Sequence, residues 1–440
     1  MKALIKRFTP DWLLSTYHKT LARLAARKFH HPSAKLIVIG VTGTKGKSST
    51  CNILWQLLTA AGYTVGMATT ANFRIGDKAW LNATKMTMVG RTQLQKLLAD
   101  MVQAGCQYAI IETSSEGIKQ WRHLGIQYDV CVLTNLFPEH IDAHGSFEAY
   151  KQAKLSLFQH LSQLPLKQIN QVAIQKAVVL NGDSEQLGEF EAVALVPTKI
   201  IWSQRQSPSA NLQFNNISEQ NTGLTFMVNG YQMSTPLLGA WSIDNIASAM
   251  GAALTQGVDY PTIQAALEHL PQIPGRMEKI EAGQPFTVIV DYAYEPVSLG
   301  LLYNYWRKMA PNQKLITLIS STGGGRDVSR RTGNGKVAAE LCDYVIVTDE
   351  DPYDDDPMQI MQQVAEGVTG AGKILNQNYW LIPDRRQAIA AAFNLAKSGD
   401  VVFLTCKGAD QKICRAHGKK EPWDDRIVSR EELNTLLHST

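Results

Sequence analysis

From residue 36 onward, short apolar runs rich in β-branched residues alternate with longer stretches whose apolar positions recur every three to four residues. Strand-like runs fall at 36–41, 64–68, 108–111, 130–133, 177–180 and 199–202, and helical spacing occupies 48–61 and 93–104 among the intervals. Continuous apolar strands separated by amphipathic helices predict an α/β fold, a mostly parallel sheet with helices on both faces. Residues 224–238 alternate around Asn229-Gly230, the signature of a β-hairpin. A second alternating series follows, with strands expected at 286–290, 315–319, 344–347, 380–382 and 401–404. A domain boundary is therefore placed near Ile273, giving a central domain at 36–272 and a C-terminal domain at 273–440. Ahead of both, Leu13, Leu14, Tyr17, Leu21, Leu24 and Ala25 recur at helical steps between Asp11 and Phe29, which predicts an amphipathic helix.

Charge changes the picture only at that first segment. Residues 1–35 hold eight Lys/Arg and one acid, a net +7 against +4 for the whole chain, so the main body is close to neutral. Three roles are open for the basic helix: a cap packed on the central domain, a partner or dimer interface, or a contact with an anionic membrane surface. In the last case Phe8, Trp12 and Tyr17 would be interfacial anchors. In the cap role the large apolar side chains would be the buried ones. Hydrophobic content is 45% and charged content 19%, ordinary for a globular chain. No apolar run reaches about 18 residues, and no secretory leader is visible. The six cysteines form no CxxC pair or disulfide-like spacing, so they read as buried free thiols in a reducing, cytoplasmic setting. Nothing points to nucleic acid, and the chain is expected to be a monomer.

Chemistry-bearing residues gather where predicted strands end. The stretch 36–50, LIVIGVTGTKGKSST, runs from a strand through a glycine-rich turn into a helix. Such a turn lets backbone N–H groups close round phosphates, and the helix N-terminus adds its dipole. Lys47, expected to face solvent without nucleotide, would reach the β- and γ-phosphates, and the Ser48 hydroxyl would ligate Mg²⁺. Five residues rather than four separate Gly40 from Gly46, so the strict P-loop spacing is not met. Glu112 ends the next strand, where a carboxylate could hold Mg²⁺. His140 follows the strand after that, and Lys154 lies on a helix further on. Taken singly, Glu112 reads as a surface or capping glutamate, His140 as a structural histidine, and Lys154 as an exposed helix lysine.

Taken in order, these segments resemble the Mur ligase family over residues 36 to about 435. The loop Gly43, Thr44, Lys45, Gly46, Lys47, Ser48, Ser49 matches that family's G-T-x-G-K-[ST] phosphate loop. The resemblance implies ATP and two Mg²⁺ ions as cofactors, with Ser48, Glu112, His140 and a carbamoylated Lys154 as metal ligands. It assigns adenine contact to Asn245, phosphate contact to Arg276 and ribose contact to Asp291, and makes Lys47, Glu112, His140, Lys154 and Arg276 the catalytic set. Within the family the likeness is to members that add the third stem-peptide residue, where Thr87, Ser114, Gln120 and Arg122 would contact the acceptor. Arg326, Asp351, Tyr353 and Asp410 fall in the C-terminal signatures that would hold the incoming amino acid. The implied fold is a central P-loop ATPase domain with a C-terminal Rossmann-like domain. The implied activity is ATP-dependent joining of an amino acid to a carboxylate-ended peptidoglycan precursor through an acyl-phosphate.

This chain departs from the family pattern in places. Members selecting diaminopimelate read Asp-Asn-Pro-Arg where this chain has Glu350-Asp-Pro-Tyr353; Gly-Lys-Gly-His-Glu becomes Cys406-Lys-Gly-Ala-Asp410; and Asp-Tyr-Ala-His becomes Asp291-Tyr-Ala-Tyr294. The acids Glu350, Asp351, Asp354, Asp355 and Asp356 would suit an amine-ended side chain. About 35 residues stand where the family has a UDP-holding domain, so a UDP-sugar acceptor is not implied. The alternatives are a folate-like or polypeptide carboxylate as acceptor, an amidating subunit served by a glutaminase partner, and a nucleotide-binding scaffold without turnover.

Overall fold

The computed structural model describes residues 10–138, 144–326 and 328–438, and the chain divides into two compact units, one ending at Leu270 and the other beginning at Pro271. The first unit opens with α1 (Asp11–Lys28), then β1 (Ile37–Thr42), α2 (Lys47–Ala60), β2 (Val65–Ala68), β3 (Asn72–Ile75), β4 (Lys78–Leu81), α3 (Arg91–Gln103), β5 (Tyr108–Glu112), α4 (Ser115–Lys119) and β6 (Val130–Leu133). It continues with α5 (Phe147–Gln163), the ribbon β7 (Lys167–Ile169) and β8 (Val172–Ile174), β9 (Ala177–Asn181), α6 (Leu187–Val193), β10 (Thr198–Ser203), β11 (Leu212–Gln220), β12 (Gly223–Val228), β13 (Tyr231–Thr235), α7 (Ser242–Thr255) and α8 (Tyr260–Glu268).

Its large sheet runs β13-β12-β11-β10-β9-β6-β1-β5-β2-β3-β4. The central strands from β11 to β2 are mutually parallel, and both flanks turn antiparallel. β5, β6 and β9 are buried along their whole length, as expected of parallel strands covered on both faces. β1 lies between β5 and β6, with Val41 opposite both Glu112 and Val132. That register brings the carboxyl ends of three strands side by side, the place where ligands collect in an open α/β sheet. The hairpin β12–β13 forms around Asn229-Gly230, both with positive φ. The flanking strands β3, β4 and β11 were not expected; they are half exposed and mixed in polarity, and pairing with neighbours holds them rather than an apolar run.

The second unit holds β14 (Glu278–Lys279), β15 (Thr287–Val290), α9 (Pro296–Met309), β16 (Leu315–Ile319), α10 (Arg330–Leu341), β17 (Tyr344–Val347), α11 (Pro357–Gly370), β18 (Tyr379–Leu381), α12 (Arg385–Leu395), β19 (Val401–Leu404), the pair β20 (Lys412–Cys414) and β21 (Lys420–Pro422), and α13 (Asp425–His438). Its six-stranded sheet has the order β14-β15-β19-β16-β17-β18, parallel except for β14. The chain is therefore α/β throughout, and all six cysteines are buried free thiols.

The first helix corrects the sequence reading. α1 belongs to the first unit and rests on α3 and the turn Arg122–Gly125, but its buried face is Ala22, Ala25 and Ala26. Leu13, Tyr17 and Leu24 point outward. The reason is close approach: a Cβ on Gly125 would come within 2.9 Å of the Ala22 carbonyl and 3.3 Å of the Ala26 Cβ, so only small side chains fit that seam.

Candidate active site

The phosphate loop is built by strand pairing and by glycine. Gly43 (φ 152°) and Gly46 (φ 78°) turn the chain from β1 into α2. A Cβ at Gly43 would meet Thr134 Oγ1 at 1.9 Å, and one at Gly46 would meet Asn245 Oδ1 at 1.8 Å, so neither position admits a side chain. The loop is fastened to the end of β6. Thr44 N–H donates to the Asn135 carbonyl (3.0 Å), Lys45 N–H to Asn135 Oδ1 (2.8 Å), and the Thr134 hydroxyl to the Lys45 carbonyl (2.7 Å). Tyr150 of α5 adds a bond from its hydroxyl to Thr44 Oγ1 (3.1 Å). Thr134, Asn135 and Tyr150 are thus positioning residues; Thr134-Asn135 opens the segment that leads to His140 and Tyr150 the one that leads to Lys154, and their bonds to the loop are what the structure adds.

Lys47 does not simply face solvent. Its Nζ folds over the loop and donates to the carbonyls of Gly43 (3.1 Å) and Thr44 (2.9 Å). Lys154 is the larger correction: it is 1% exposed, and its Nζ donates to the Gly43 carbonyl at 2.8 Å. The helical spacing points the same way: Tyr150, Leu157, Phe158 and Leu161 lie at i−4, i+3, i+4 and i+7 from Lys154 and are buried with it, so Lys154 sits on the inward stripe of α5 and its ammonium is met by the loop carbonyl. Two amines therefore converge on one carbonyl of the glycine-rich turn, which suits a polyanionic ligand.

Glu112, at the end of β5, is 2% exposed and accepts from the Ser48 hydroxyl (2.7 Å), the Thr70 N–H (2.7 Å) and the Thr70 hydroxyl (2.9 Å). A hydroxyl and a carboxylate in contact at a phosphate loop fit a Mg²⁺ ion, which would take both oxygens in place of the hydroxyl proton. Thr70 Oγ1 also lies 3.0 Å from the Thr87 hydroxyl, so Thr87 reaches Glu112 through one intermediary. Ser49 follows Ser48 on α2, half exposed. His140 lies outside the described residues, and among those described no cluster of three or more His, Cys, Asp or Glu could hold a metal. His144, which is described, sits 3.1 Å from Ser115 Oγ; burial, Lys119 and Lys154 favour its neutral form.

The residues expected to contact the acceptor also meet. Ser114 caps α4 by accepting from Gly117 N–H (3.1 Å). Gln120 Oε1 accepts from Arg122 Nη2 (2.7 Å), and Arg122 Nη1 donates to the Met88 carbonyl, next to Thr87. Burial, and then the nearby Arg91, lower the pKa of Arg122, so an anion arriving there would be welcome.

In the second unit, Arg276 stacks over the Tyr292 ring at 4.5 Å, near Asp291. Burial raises the Asp291 pKa, opposed by Arg276 and by the N–H groups of Met277 and Ala293. Tyr353 adopts φ 54°, and the Arg326 guanidinium lies 5.2 Å from its ring centre. Asp351 is buried and engaged, accepting from Cys414 N–H (2.7 Å) and pairing with the fully buried Lys407 (3.3 Å), which lies 4.0 Å from Asp410. Asp355 accepts from Gly324 N–H (3.0 Å), and Asp356 caps α11. Of the acidic stretch, Glu350 and Asp351 serve the interior; Asp354, Asp355 and Asp356 remain exposed.

A P-loop at the carboxyl edge of a parallel sheet, with a magnesium-ready Ser48–Glu112 pair, defines an ATP-using enzyme. Residues 41–253 match the Mur ligase middle domain and residues 275–408 the Mur ligase glutamate ligase domain. The chain belongs to the Mur ligase family, and it is an ATP- and Mg²⁺-dependent ligase that forms a carbon–nitrogen bond between an acid and an amino acid. It is 35% identical over 433 residues to the UDP-N-acetylmuramyl-tripeptide synthetase of Roseiflexus sp. (strain RS-1), covering 94% of this chain and 82% of that one. It is 32% identical over 428 residues to the UDP-N-acetylmuramoyl-L-alanyl-D-glutamate–2,6-diaminopimelate ligase of Geobacillus kaustophilus (strain HTA426), covering 96% and 83%. A solved structure of a ligase with that same description superposes with a TM-score of 0.61 at 27% identity, over 92% of this chain and 79% of the other. These likenesses do not favour a folate-like acceptor or an amidating subunit.

Proposed function

We propose that this ligase adds an amine-ended amino acid, lysine or a close analogue, to the terminal carboxylate of a peptidoglycan-precursor peptide. The observation that carries the chemistry is the contact of Ser48 with Glu112 beneath a loop on which Lys47 and Lys154 converge. Bound there, ATP supplies the phosphoryl group that turns the acceptor carboxylate into an acyl-phosphate, while Mg²⁺ offsets charge. The amino acid's amine then displaces phosphate and leaves an amide. This chain's part is electrostatic and positional: Lys47 would turn from the loop carbonyls toward the phosphates, and Ser48 and Glu112 would hold one ion. Arg122 and Arg91 receive the anionic acceptor. The nucleotide roles of Asn245, Arg276 and Asp291 rest on their motif positions. A second ion would use His140 and a carbamate on Lys154, whose nitrogen already stands at the loop. The described helices include none long and apolar enough to cross a membrane, and we place the enzyme in the cytoplasm.

The carbamate gives a separate expectation. Lys154→Ala should lower turnover by roughly 10–100-fold, the scale of losing a metal-site residue. Millimolar short carboxylic acids should restore part of it by supplying the missing oxygens. Wild-type turnover by the variant in CO₂-free buffer would exclude the carbamate.

The choice of amino acid rests on the second unit. Arg326 offers one guanidinium, enough for the α-carboxylate common to all amino acids, whereas Tyr353 provides no second fork for diaminopimelate's distal carboxylate. The exposed Asp354 and Asp355 favour a cation instead. Phosphate release from ATP, measured across a matrix of acceptor peptides and amino acids, should show a kcat/KM for lysine at least about tenfold above that for diaminopimelate, the worth of one charged contact. A preference for diaminopimelate would refute this assignment, and absence of release with any muramyl peptide would refute the acceptor.

A further inference from the structure

The outward face of α1 combines two properties rarely left on a solvated helix. Leu13, Tyr17 and Leu24 follow one another at steps of four and seven residues, so they form a single stripe. They are 45%, 57% and 51% exposed, and Trp12 beside them is 69% exposed. Alongside run Arg23, Arg27 and Lys28, all exposed, and from Trp12 to Lys28 the helix contains no acidic residue.

The inward face is already satisfied. Ala22, Ala25 and Ala26 close on the first unit, Lys19 Nζ lies 4.0 Å over the Trp121 ring, and His18 Nδ1 is 2.7 Å from Arg91 Nη2. Anchoring therefore leaves the aromatic, leucine and arginine side chains over, and packing among the described residues does not account for them.

We propose that this face seats the enzyme on an anionic membrane surface. Aromatic side chains with polar tips favour the headgroup layer, leucines insert beneath it, and arginines and lysines attract anionic lipid. Charge selects this occupant over a second copy of the chain: two such faces would bring Arg23, Arg27 and Lys28 of each molecule together without a counter-charge, whereas anionic lipid supplies one. Residues 1–9 add Lys2, Lys6, Arg7 and Phe8 in sequence; they lie outside the described residues, and the proposal rests on Trp12 to Lys28. The contact is peripheral and salt-sensitive, since one short stripe inserts few side chains. It does not depend on which amino acid the ligase uses.

The test is co-sedimentation of the full chain with phosphatidylcholine vesicles and with mixed phosphatidylcholine–phosphatidylglycerol vesicles, at low and high salt. Binding should appear with the mixed vesicles at low salt and fall at least about tenfold at high salt or without the anionic lipid. Two triple variants should each weaken it on the order of tenfold or more: Leu13→Ser with Tyr17→Ser and Leu24→Ser, and Arg23→Gln with Arg27→Gln and Lys28→Gln. Melting temperature and phosphate release in solution should stay at wild-type values in the glutamine variant, because Arg23, Arg27 and Lys28 are exposed and belong to neither the phosphate loop nor the acceptor contacts. If the serine variant unfolds, the glutamine variant carries the test alone. Wild-type protein that ignores anionic vesicles at low salt would overturn the proposal. So would binding untouched by the substitutions, or a dimer in sedimentation velocity that the serine variant dissolves in place of vesicle binding.

Discussion

Lys47→Ala is expected to reduce ATP-dependent phosphate release by about 10²–10³-fold or more, the range seen when one preorganised charge-stabilising group is removed from a reacting centre. The structure explains why the loss should fall on turnover rather than folding. Lys47 Nζ donates to loop carbonyls, Gly43 at 3.1 Å and Thr44 at 2.9 Å, and it is half-buried at the mouth of the loop. The loop itself is held by glycine geometry and by bonds from Thr44 N–H, Lys45 N–H and the Thr134 hydroxyl, none of which uses the lysine side chain. The cost in stability should be about 1–3 kcal/mol, that of leaving carbonyls short of a donor. Phosphate-release kinetics beside thermal melting would check both halves. A variant retaining activity within twofold of wild type would remove the P-loop assignment.

The largest effect on stability is expected from the pair Arg385–Asp425. Both side chains are almost fully buried, and the guanidinium grips the carboxylate twice, Nε to Oδ1 at 2.8 Å and Nη2 to Oδ2 at 2.6 Å. Arg385 Nη2 also donates to the Thr405 carbonyl at 3.0 Å, and Trp423 Nε1 to Asp425 Oδ1 at 2.7 Å. Each residue opens a helix, α12 and α13, so the pair ties the two N-termini together. Asp425→Asn should cost about 3–5 kcal/mol, since a desolvated guanidinium would lose its counter-charge.

Burial by itself would raise the Asp425 carboxyl, but Arg385 and the hydrogen bonds from Arg385 and Trp423 outweigh it and hold the pKa below the ordinary value. A folded pKa below the unfolded one stabilises the protein above the unfolded value of about 3.9, and that stabilisation is lost as pH falls through the folded value. The stability gap between wild type and Asp425→Asn should therefore be flat at neutral pH and narrow only below about pH 4. Denaturant unfolding at several pH values would test it. A gap under 1 kcal/mol at pH 7, or one that widens in acid, would show that the pair is not an ion pair.

Features encoded within a few consecutive residues were legible without coordinates. A strand, two glycines and a Lys-Ser step at a helix start suffice for the phosphate loop, because the backbone conformation and the phosphate-binding N–H groups are one local object. The runs that became β5, β6, β9, β16, β17 and β19 were legible because strands buried on both faces must be continuously apolar. The hairpin at Asn229-Gly230 was legible because that dipeptide takes positive φ twice.

Tertiary structure decided what depends on partners distant in sequence. Lys154 reads as a surface lysine until the loop 111 residues before it in the chain covers it. The leucines of α1 look like a docking face, yet the seam at Gly125 admits only alanine, and that steric limit lies on another element. Asp351 looks available to a substrate amine until Lys407, 56 positions further on, is seen buried beside it. The role of Asp425 required Arg385, 40 positions earlier. In each case the side chain's environment is set by a contact of long sequence separation, and periodicity along one element carries no information about which surface will arrive on it.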